Sequence, residues 1–486
     1  MTRTKRNASE HTVSHRRVSS SYAVVVGLGD GSTTRLLAKA PWKQILTVRL
    51  PGEPMTEVPG YIYHCSGERD VSNILDQFYL AHMDILTISQ TEFFDRHRIG
   101  VDEALRAKFC EEFYRILGDK PLEFGDDILD GLQGAWHIAK NARLTACPTP
   151  KQMMCGNAPA ICIGAGPSLK NHYESLRQLQ GKCLLIACDS LLDGLLKEGI
   201  TPHLVTPVER IPEIAQAFGR DDYTTIFAGK PLVHHDALKP FKNAWFAPCS
   251  DIVYGWCLAD ESELGSYGQS TGTMTVGMAV KLTSGPIYLV GHDLSMTDGK
   301  SHVGIAKAAT VHNQDTFPIA GYAGTVYTDW WWDNFRRHIE SSATVNGNVI
   351  NVNALDKVGA IIHGTKEGRL PDPATLMDFS MPTAPAPNYS RHERFKARLR
   401  QLPADVKRAK TILSSMRLTP DDTEVSHLFG QSWPMFGYIL RSLYAQYSFE
   451  SRAGKSYPIV LNAMRESLLN ILTECDATFE DMASCG

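Results

Sequence analysis

The sequence predicts an α/β fold of Rossmann-like units followed by a helical segment. Three observations predict it. Apolar runs break into glycine turns at residues 22–31 and 160–168. Two more apolar runs end on carboxylates. Beyond a proline-rich stretch the sequence turns charged and helix-periodic.

Residues 1–21 carry Arg3, Lys5, Arg6, Arg16 and Arg17 against the single acid Glu10, with many Ser and Thr, and are expected to be a disordered basic tail. An N-terminal Rossmann-like domain with a helical connection is expected over 22–150. It opens on the strand Tyr22–Val26 and the turn Gly27–Gly31, continues into a helix around Thr33–Lys39, and has a second strand at Ile45–Leu50. Nucleotide- and methyl-donor-binding folds usually place an acid at the end of that second strand to hold a ribose. Here it ends Val48-Arg49, so a scaffold turn without ligand is expected. Residues from roughly 70 to 145 show helical spacing, and Pro148, Pro150, Gly156 and Pro159 mark a boundary.

A central domain is expected over 151–375. Ala160–Ile163 reads as a strand running into Gly164-Ala165-Gly166-Pro167-Ser168, then a helix through about Leu179. Glycines permit a sharp turn close to a ligand, proline suits a helix start, and amides there would face a phosphate. The next strands lead to Asp189-Ser190 and to Glu209, and Ile287–Val290 leads to Gly291-His292-Asp293 and then Gly299-Lys300-Ser301-His302. In open α/β sheets, ligands sit beyond the carboxyl ends of strands, so these ends should converge on one pocket. Ser270-Thr271-Gly272-Thr273, ahead of the helix Met274–Leu282, fits either a nucleotide contact or a helix cap. Asp189-Ser190 carries the same two readings. Trp330, Trp331 and Trp332 stand in a row in the predicted helix Thr328–Glu340, and three adjacent positions cannot all face one way. A linker follows at 376–390, rich in proline at Pro382, Pro385 and Pro387. A helical C-terminal domain is expected over 391–486, with exposed helices Arg391–Leu402 and Ala404–Met416 and more buried ones at Trp433–Tyr447 and Ile459–Leu472.

The segments GAGPSL, IACDSLLDGLLKEGITPHLV, GTMTVGMAVKLTSGPIYLVGHDLSMTDGKSHV, GYAGTVYT and NVNALDKVGAIIHGT occur in that order. Together they resemble the motility accessory factor family, whose central domain is shared with 6-hydroxymethylpterin diphosphokinases and is similar to bacterial sialyltransferases. The resemblance covers roughly 155 to 370. It implies a nucleotide-sugar-binding central domain and transfer of a nonulosonic, sialic-acid-like sugar from a CMP-activated donor to Ser or Thr hydroxyls of a protein, with flagellin the implied acceptor. Direct displacement with inversion is the implied course. Departures from the family pattern fall at Glu209, where an Asp is usual, at His203, where an acid is usual, and at His292, where Gln is usual.

Under that reading, Gly164, Ala165, Gly166, Pro167, Ser168, Asp189, Ser190, Glu209, Ser270, Thr271, Gly272, Thr273 and Lys300 would hold the donor. Displacement of a nucleotide by an alcohol needs a base and a stabilised leaving phosphate. Histidine titrates near neutrality, which makes His302 with Asp293 the first choice for the chemistry, His312 the second and His292 the third. No dedicated cofactor or metal is expected for this transfer. The diphosphokinase alternative would instead take ATP with Mg2+ on carboxylates such as Asp189, Glu209 and Asp293. A catalytically silent nucleotide-binding module is the third possibility.

Composition bounds these readings. At 486 residues, two or three domains are expected, and 43% hydrophobic with 21% charged residues is ordinary for a globular chain. A net charge of −4 argues against a dedicated nucleic-acid partner. No membrane span or secretory leader is apparent, and the eleven cysteines occur singly without CxxC pairs or Cys/His metal spacing. A reducing cytoplasmic setting, with thiols as small core residues, is therefore expected.

Overall fold

The computed structural model describes residues 22–28, 31, 35, 44–53, 55–58, 61–66, 85–89, 128–248, 267–268, 270–296, 299–306, 316–415, 465–466 and 469–486. The basic tail, His312, the Trp433–Tyr447 segment and most of the 70–145 connection lie outside them. The chain divides into two compact units, Met1–Gln133 with Gln401–Ala483, and Gly134–Arg400 with Ser484–Gly486.

In the first unit, strands β1 (Tyr22–Val26), β2 (Gln44–Arg49), β3 (Tyr61–His64) and β4 (Ile85–Ser89) form a parallel sheet in the order β3-β2-β1-β4. β4 corrects the helical expectation for that stretch. Ile85-Leu86-Thr87-Ile88 is too short an apolar run for periodicity to separate strand from helix. The carboxylate missing from the end of β2 arrives from Glu53. This residue is buried, and its Oε2 accepts from Leu28 N at 2.8 Å and Leu50 N at 2.7 Å. The protein's own carboxylate thus occupies an amide of the first glycine turn. Residues 401–415 and the helix Asp476–Ser484 up to Ala483 are also in this unit, joined by a Lys410–Asp476 ion pair.

The second unit holds a seven-stranded sheet whose neighbours all pair in parallel. Its strands are β5 (Ala160–Ile163), β6 (Leu184–Ala187), β7 (Leu204–Val205), β8 (Ile226–Phe227), β9 (Ile287–Val290), β12 (Val349–Asn351) and β13 (Lys366–Glu367). β5, β6 and β9 are buried throughout, as expected for strands covered on both faces. Leu176, Leu179, Leu191 and Leu195 pack with Ile161, Ile163, Leu185 and Val290. The helix Thr271–Leu282 lies against the sheet too, and the Cys162 thiol donates to Thr275 O at 3.3 Å. Burial pushes the thiols of Cys162, Cys183 and Cys188 well up, consistent with their place in the core.

Spatial order is β13-β12-β9-β5-β6-β7-β8. The chain builds outward from β5 to one side, then returns to build outward from β9 on the other. The switch point falls between β5 and β9, where ligands sit in sheets of this kind. The sequence did not show an antiparallel hairpin of β10 (Phe317–Gly321) and β11 (Gly324–Thr328), which precedes the helix Trp330–Asn346. In that helix Trp331 is exposed and Trp332 half-buried.

The proline-rich stretch lies along the second unit as a strap. Phe379 N donates to Gly181 O at 2.7 Å, Lys182 pairs with Asp378 at 2.7 Å, and Asn388 N donates to Ala146 O at 2.8 Å. Arg391 then inserts, fully buried. It donates to the carbonyls of Thr145 and Cys147, with its guanidinium 4.7 Å from the Phe246 ring centroid. The two helices expected around Pro403 are one helix, Tyr389–Ser415, with the proline inside it. A proline removes one ladder bond, and this helix tolerates the loss.

Candidate functional site

Five strand-end and helix-end segments meet on the carboxyl side of the second unit's sheet. The Gly164–Ser168 turn comes first, and the β9 loop fills the space its glycines leave. A Cβ on Gly164 would stand 2.6 Å from Gly291 O, and one on Gly166 would stand 2.5 Å from Asp293 Cγ. These glycines serve close packing of one loop on another. The turn's amides, expected to face a phosphate, are mostly committed inside the protein. Gly164 N donates to Val290 O at 2.8 Å, Gly166 N to Gly291 O at 2.7 Å, and Ser168 N to Asp293 Oδ2 at 2.9 Å. The helix begun by Pro167 is also different from the expectation. A 3-10 segment, Pro167–His172, precedes the seven-residue helix Tyr173–Leu179, so little dipole is aimed at the turn.

Asp293 holds this junction together. Its Oδ1 accepts from the Ser168 hydroxyl and from Asn353 Nδ2 at 2.8 Å, while Gly359 packs against its backbone and Ala360 N donates to Asp293 O at 2.9 Å. Burial raises its pKa, opposed by the Ser168 hydroxyl and amide and by Asn353. Leu294, the next residue, has φ = 50°, a strained conformation for leucine, and Thr328 Oγ1 donates to its carbonyl at 2.8 Å. Both the bonding and the burial make Asp293 a clamp between strand ends.

Asp189, at the end of β6, is placed differently. It is almost fully buried, and Oδ1 accepts from Ser190 N at 2.6 Å, while Oδ2 has no hydrogen-bond partner. Burial raises its pKa to about 7; the Ser190 amide opposes the shift, the Glu209 carboxylate adds to it, and the Thr271 hydroxyl lowers it. An unpartnered buried carboxyl oxygen is expensive unless something else supplies the donor.

Thr271 opens the helix Thr271–Leu282, and its carbonyl accepts from Thr206 Oγ1, at the end of β7, at 3.1 Å. Ser270 and Thr273 are committed to capping. Ser270 Oγ accepts from Thr273 N at 3.2 Å, and Ser270 N donates to Thr273 Oγ1 at 2.8 Å. Gly272 has open space, since a Cβ there would meet nothing nearer than 3.9 Å. Beside this helix, His292 is buried. Its Nε2 lies 3.3 Å from Gly272 O, and burial lowers its pKa to about 4. It links β9 to the helix within the core.

The loop 299–306 closes the group. Val303 N donates to Ala165 O at 2.8 Å, and Ile305 packs on Gly194. This puts His302 beside the glycine turn, with Nδ1 2.8 Å from Ser301 Oγ and its ring 6.2 Å from that of Trp332. Burial holds the His302 imidazole below its ordinary pKa, so it is neutral near pH 7. Lys300 is exposed in the same loop, and Glu209 is exposed four residues beyond β7, which ends at Val205 and not, as expected, on this carboxylate. The structure thus gathers Gly164–Ser168, Asp189-Ser190, Thr271, His302 and Asp293 into contiguous segments.

Sequence spacing missed one further grouping. The rings of His137, His234 and His235 come together in the second unit, although His137 and His235 are 98 positions apart. The adjacent pair was visible in the sequence, but its third member was not.

The family model described as "6-hydroxymethylpterin diphosphokinase MptE-like" matches residues 137–299. A solved structure of a Maf glycosyltransferase from Magnetospirillum magneticum AMB-1 is similar at TM-score 0.53 and 15% identity, covering 95% of this chain and 79% of that one. No curated protein matches. Both comparisons meet the resemblance carried by the ordered sequence segments, and at 15% identity the structural likeness is one of fold. Among the described residues, no helix is long and apolar enough to cross a membrane.

Proposed function

We propose that this chain is a glycosyltransferase that moves a nonulosonic, sialic-acid-like sugar from a CMP-linked donor to a protein hydroxyl, with flagellin as acceptor. The observation that carries the reading is Asp189. Its unpartnered Oδ2 lies at the end of β6, among the loops beside the switch point, where a ribose hydroxyl or a cytosine amino group would supply the missing donor. The likeness to the Maf glycosyltransferase fold supports the same reaction class.

In this reading the chain's own groups divide the work. Asp189 and Ser190 bind the nucleoside. The start of the helix Thr271–Leu282, with open space at Gly272, receives the phosphate, and Lys300 neutralises its developing charge. Neutral His302 takes the proton of the acceptor hydroxyl as that oxygen attacks the anomeric carbon and CMP departs. Asp293 positions the Gly164–Ser168 turn beneath them through Ser168.

The diphosphokinase reading is kept because the matched family model carries that description. Calorimetric titration with CMP, ATP and a pterin, each with and without Mg2+, separates the two. Metal-independent CMP binding supports the transferase. Tight Mg-ATP binding without any response to CMP would overturn it.

A further inference from the structure

His137 lies in the last turn of the helix Ile128–Lys140, and His234 and His235 lie at the start of the helix His235–Leu238. Ring centroids are 4.6 Å apart for His137 and His234, 4.8 Å for His234 and His235, and 5.4 Å for His137 and His235. One nitrogen from each ring can be chosen so that all three lie within 4.8 Å of one another. Nδ1 of His137 faces Nδ1 of His235 at 3.2 Å, and Nε2 of fully buried His137 has no hydrogen-bond partner. Three imidazoles packed this closely form a poor hydrogen-bonded set, because two facing ring nitrogens share at most one proton.

The frame around the rings is rigid. Buried Asn141 donates to Pro231 O at 2.9 Å and Val233 O at 2.7 Å, fixing the end of the first helix to the segment that carries His234. Arg143 donates to Leu238 O at 2.8 Å and Phe241 O at 3.1 Å. Nδ1 of His234 faces Asp236 N at 3.3 Å, so this nitrogen carries the ring's lone pair and would exchange that contact for the ion. Nε2 of His235 lies 3.6 Å from the Asp236 carboxylate, which pairs with Lys239, while its Nδ1 is the nitrogen turned to His137. His235 is the half-buried member and gives solvent a way in.

We propose that His137, His234 and His235 bind one divalent transition-metal ion of the zinc class through three imidazole nitrogens. Three neutral nitrogen donors with no carboxylate in the first sphere suit zinc, cobalt or nickel, and disfavour magnesium or calcium, which take oxygen ligands. A fourth position remains for water. His234 N also donates to Glu209 O at 3.0 Å, so the ion would brace the backbone that presents Glu209. This inference does not depend on the glycosyltransferase reading.

The test uses the untagged full-length chain after chelator treatment. Cobalt titration should give one equivalent with a visible absorption band that zinc displaces and magnesium does not. Zinc at a hundred times its Kd should raise the melting temperature by roughly 5 °C or more. His235→Gln and His234→Gln should each weaken zinc binding at least tenfold, whereas a variant altered at His11 and His15 in the tail should bind as the parent does. Failure of the folded parent to take up zinc or cobalt stoichiometrically overturns the proposal, as does uptake unchanged by both substitutions. If the substituted chains misfold, carbethoxylation of His235 in the parent decides. Zinc protection of that ring supports the site, and unchanged modification refutes it.

Discussion

A buried carboxyl oxygen without a donor costs stability, and Asp189 carries one. Its pKa in the fold, about 7, lies above the ordinary value of 3.8, so the native state holds the proton that the unfolded chain gives up between those values. Stability contributed by this group is therefore complete below about pH 4 and is lost as pH rises towards 7. Asp189→Asn removes that loss and should stabilise the protein at pH 8 by on the order of 2 kcal/mol in urea unfolding. The same substitution should weaken CMP binding at least tenfold, because an amide is a poorer acceptor than an ionised carboxylate. His302→Ala should lower kcat by about a hundredfold with little change in nucleotide affinity. Since burial holds the His302 pKa down, the acid limb of the parent's kcat profile should fall below pH 6.5 and vanish in the variant. Asp293→Ala should cost about 3 kcal/mol by leaving the Ser168 amide, the Ser168 hydroxyl and Asn353 without their acceptor, with Asp293→Asn milder.

Among the elements, those the sequence made legible share one property: they are apolar runs that end abruptly. β5, β6 and β9 are buried on both faces and stop at glycines or carboxylates, so composition alone locates them and their ends. The helix Thr271–Leu282 was legible for a similar reason, through its Ser-Thr start. β4 and the hairpin β10–β11 were not, because five residues of mixed polarity carry no distinctive period. What the loops do was less legible than where they lie. Glycine at 164 and 166 suits both a close ligand and a close protein backbone, and only tertiary packing reveals that Gly291 and Asp293 take the space. The Glu53 carboxylate, which comes four residues after β2 and turns back to Leu28, was hidden in the same way. Spacing could not find the three-histidine cluster either, since its members come from two elements far apart in the chain.

Each compact unit has its own parallel sheet, and in the second the chain must close long loops before its site exists. The strap from 376 to Arg391 is part of that unit, and buried Arg391 satisfies the carbonyls of Thr145 and Cys147. Arg391→Met keeps the stem and the Phe246 contact but strands those carbonyls. It should lower the unfolding free energy by about 2 kcal/mol, measured as a lower urea midpoint.

The Ser168–Asp293–Asn353 clamp has a consequence during synthesis. Ser168 meets Asp293 across 125 positions and Asn353 across 185, so a nascent polypeptide has β5 and β6 long before it has the groups that lock them. Ribosome-stalled chains ending near residue 340 should leave 160–200 open to protease, and chains released through residue 415 should shield it. Until translation passes Asn353, this half-built sheet depends on chaperones or on speed to escape aggregation.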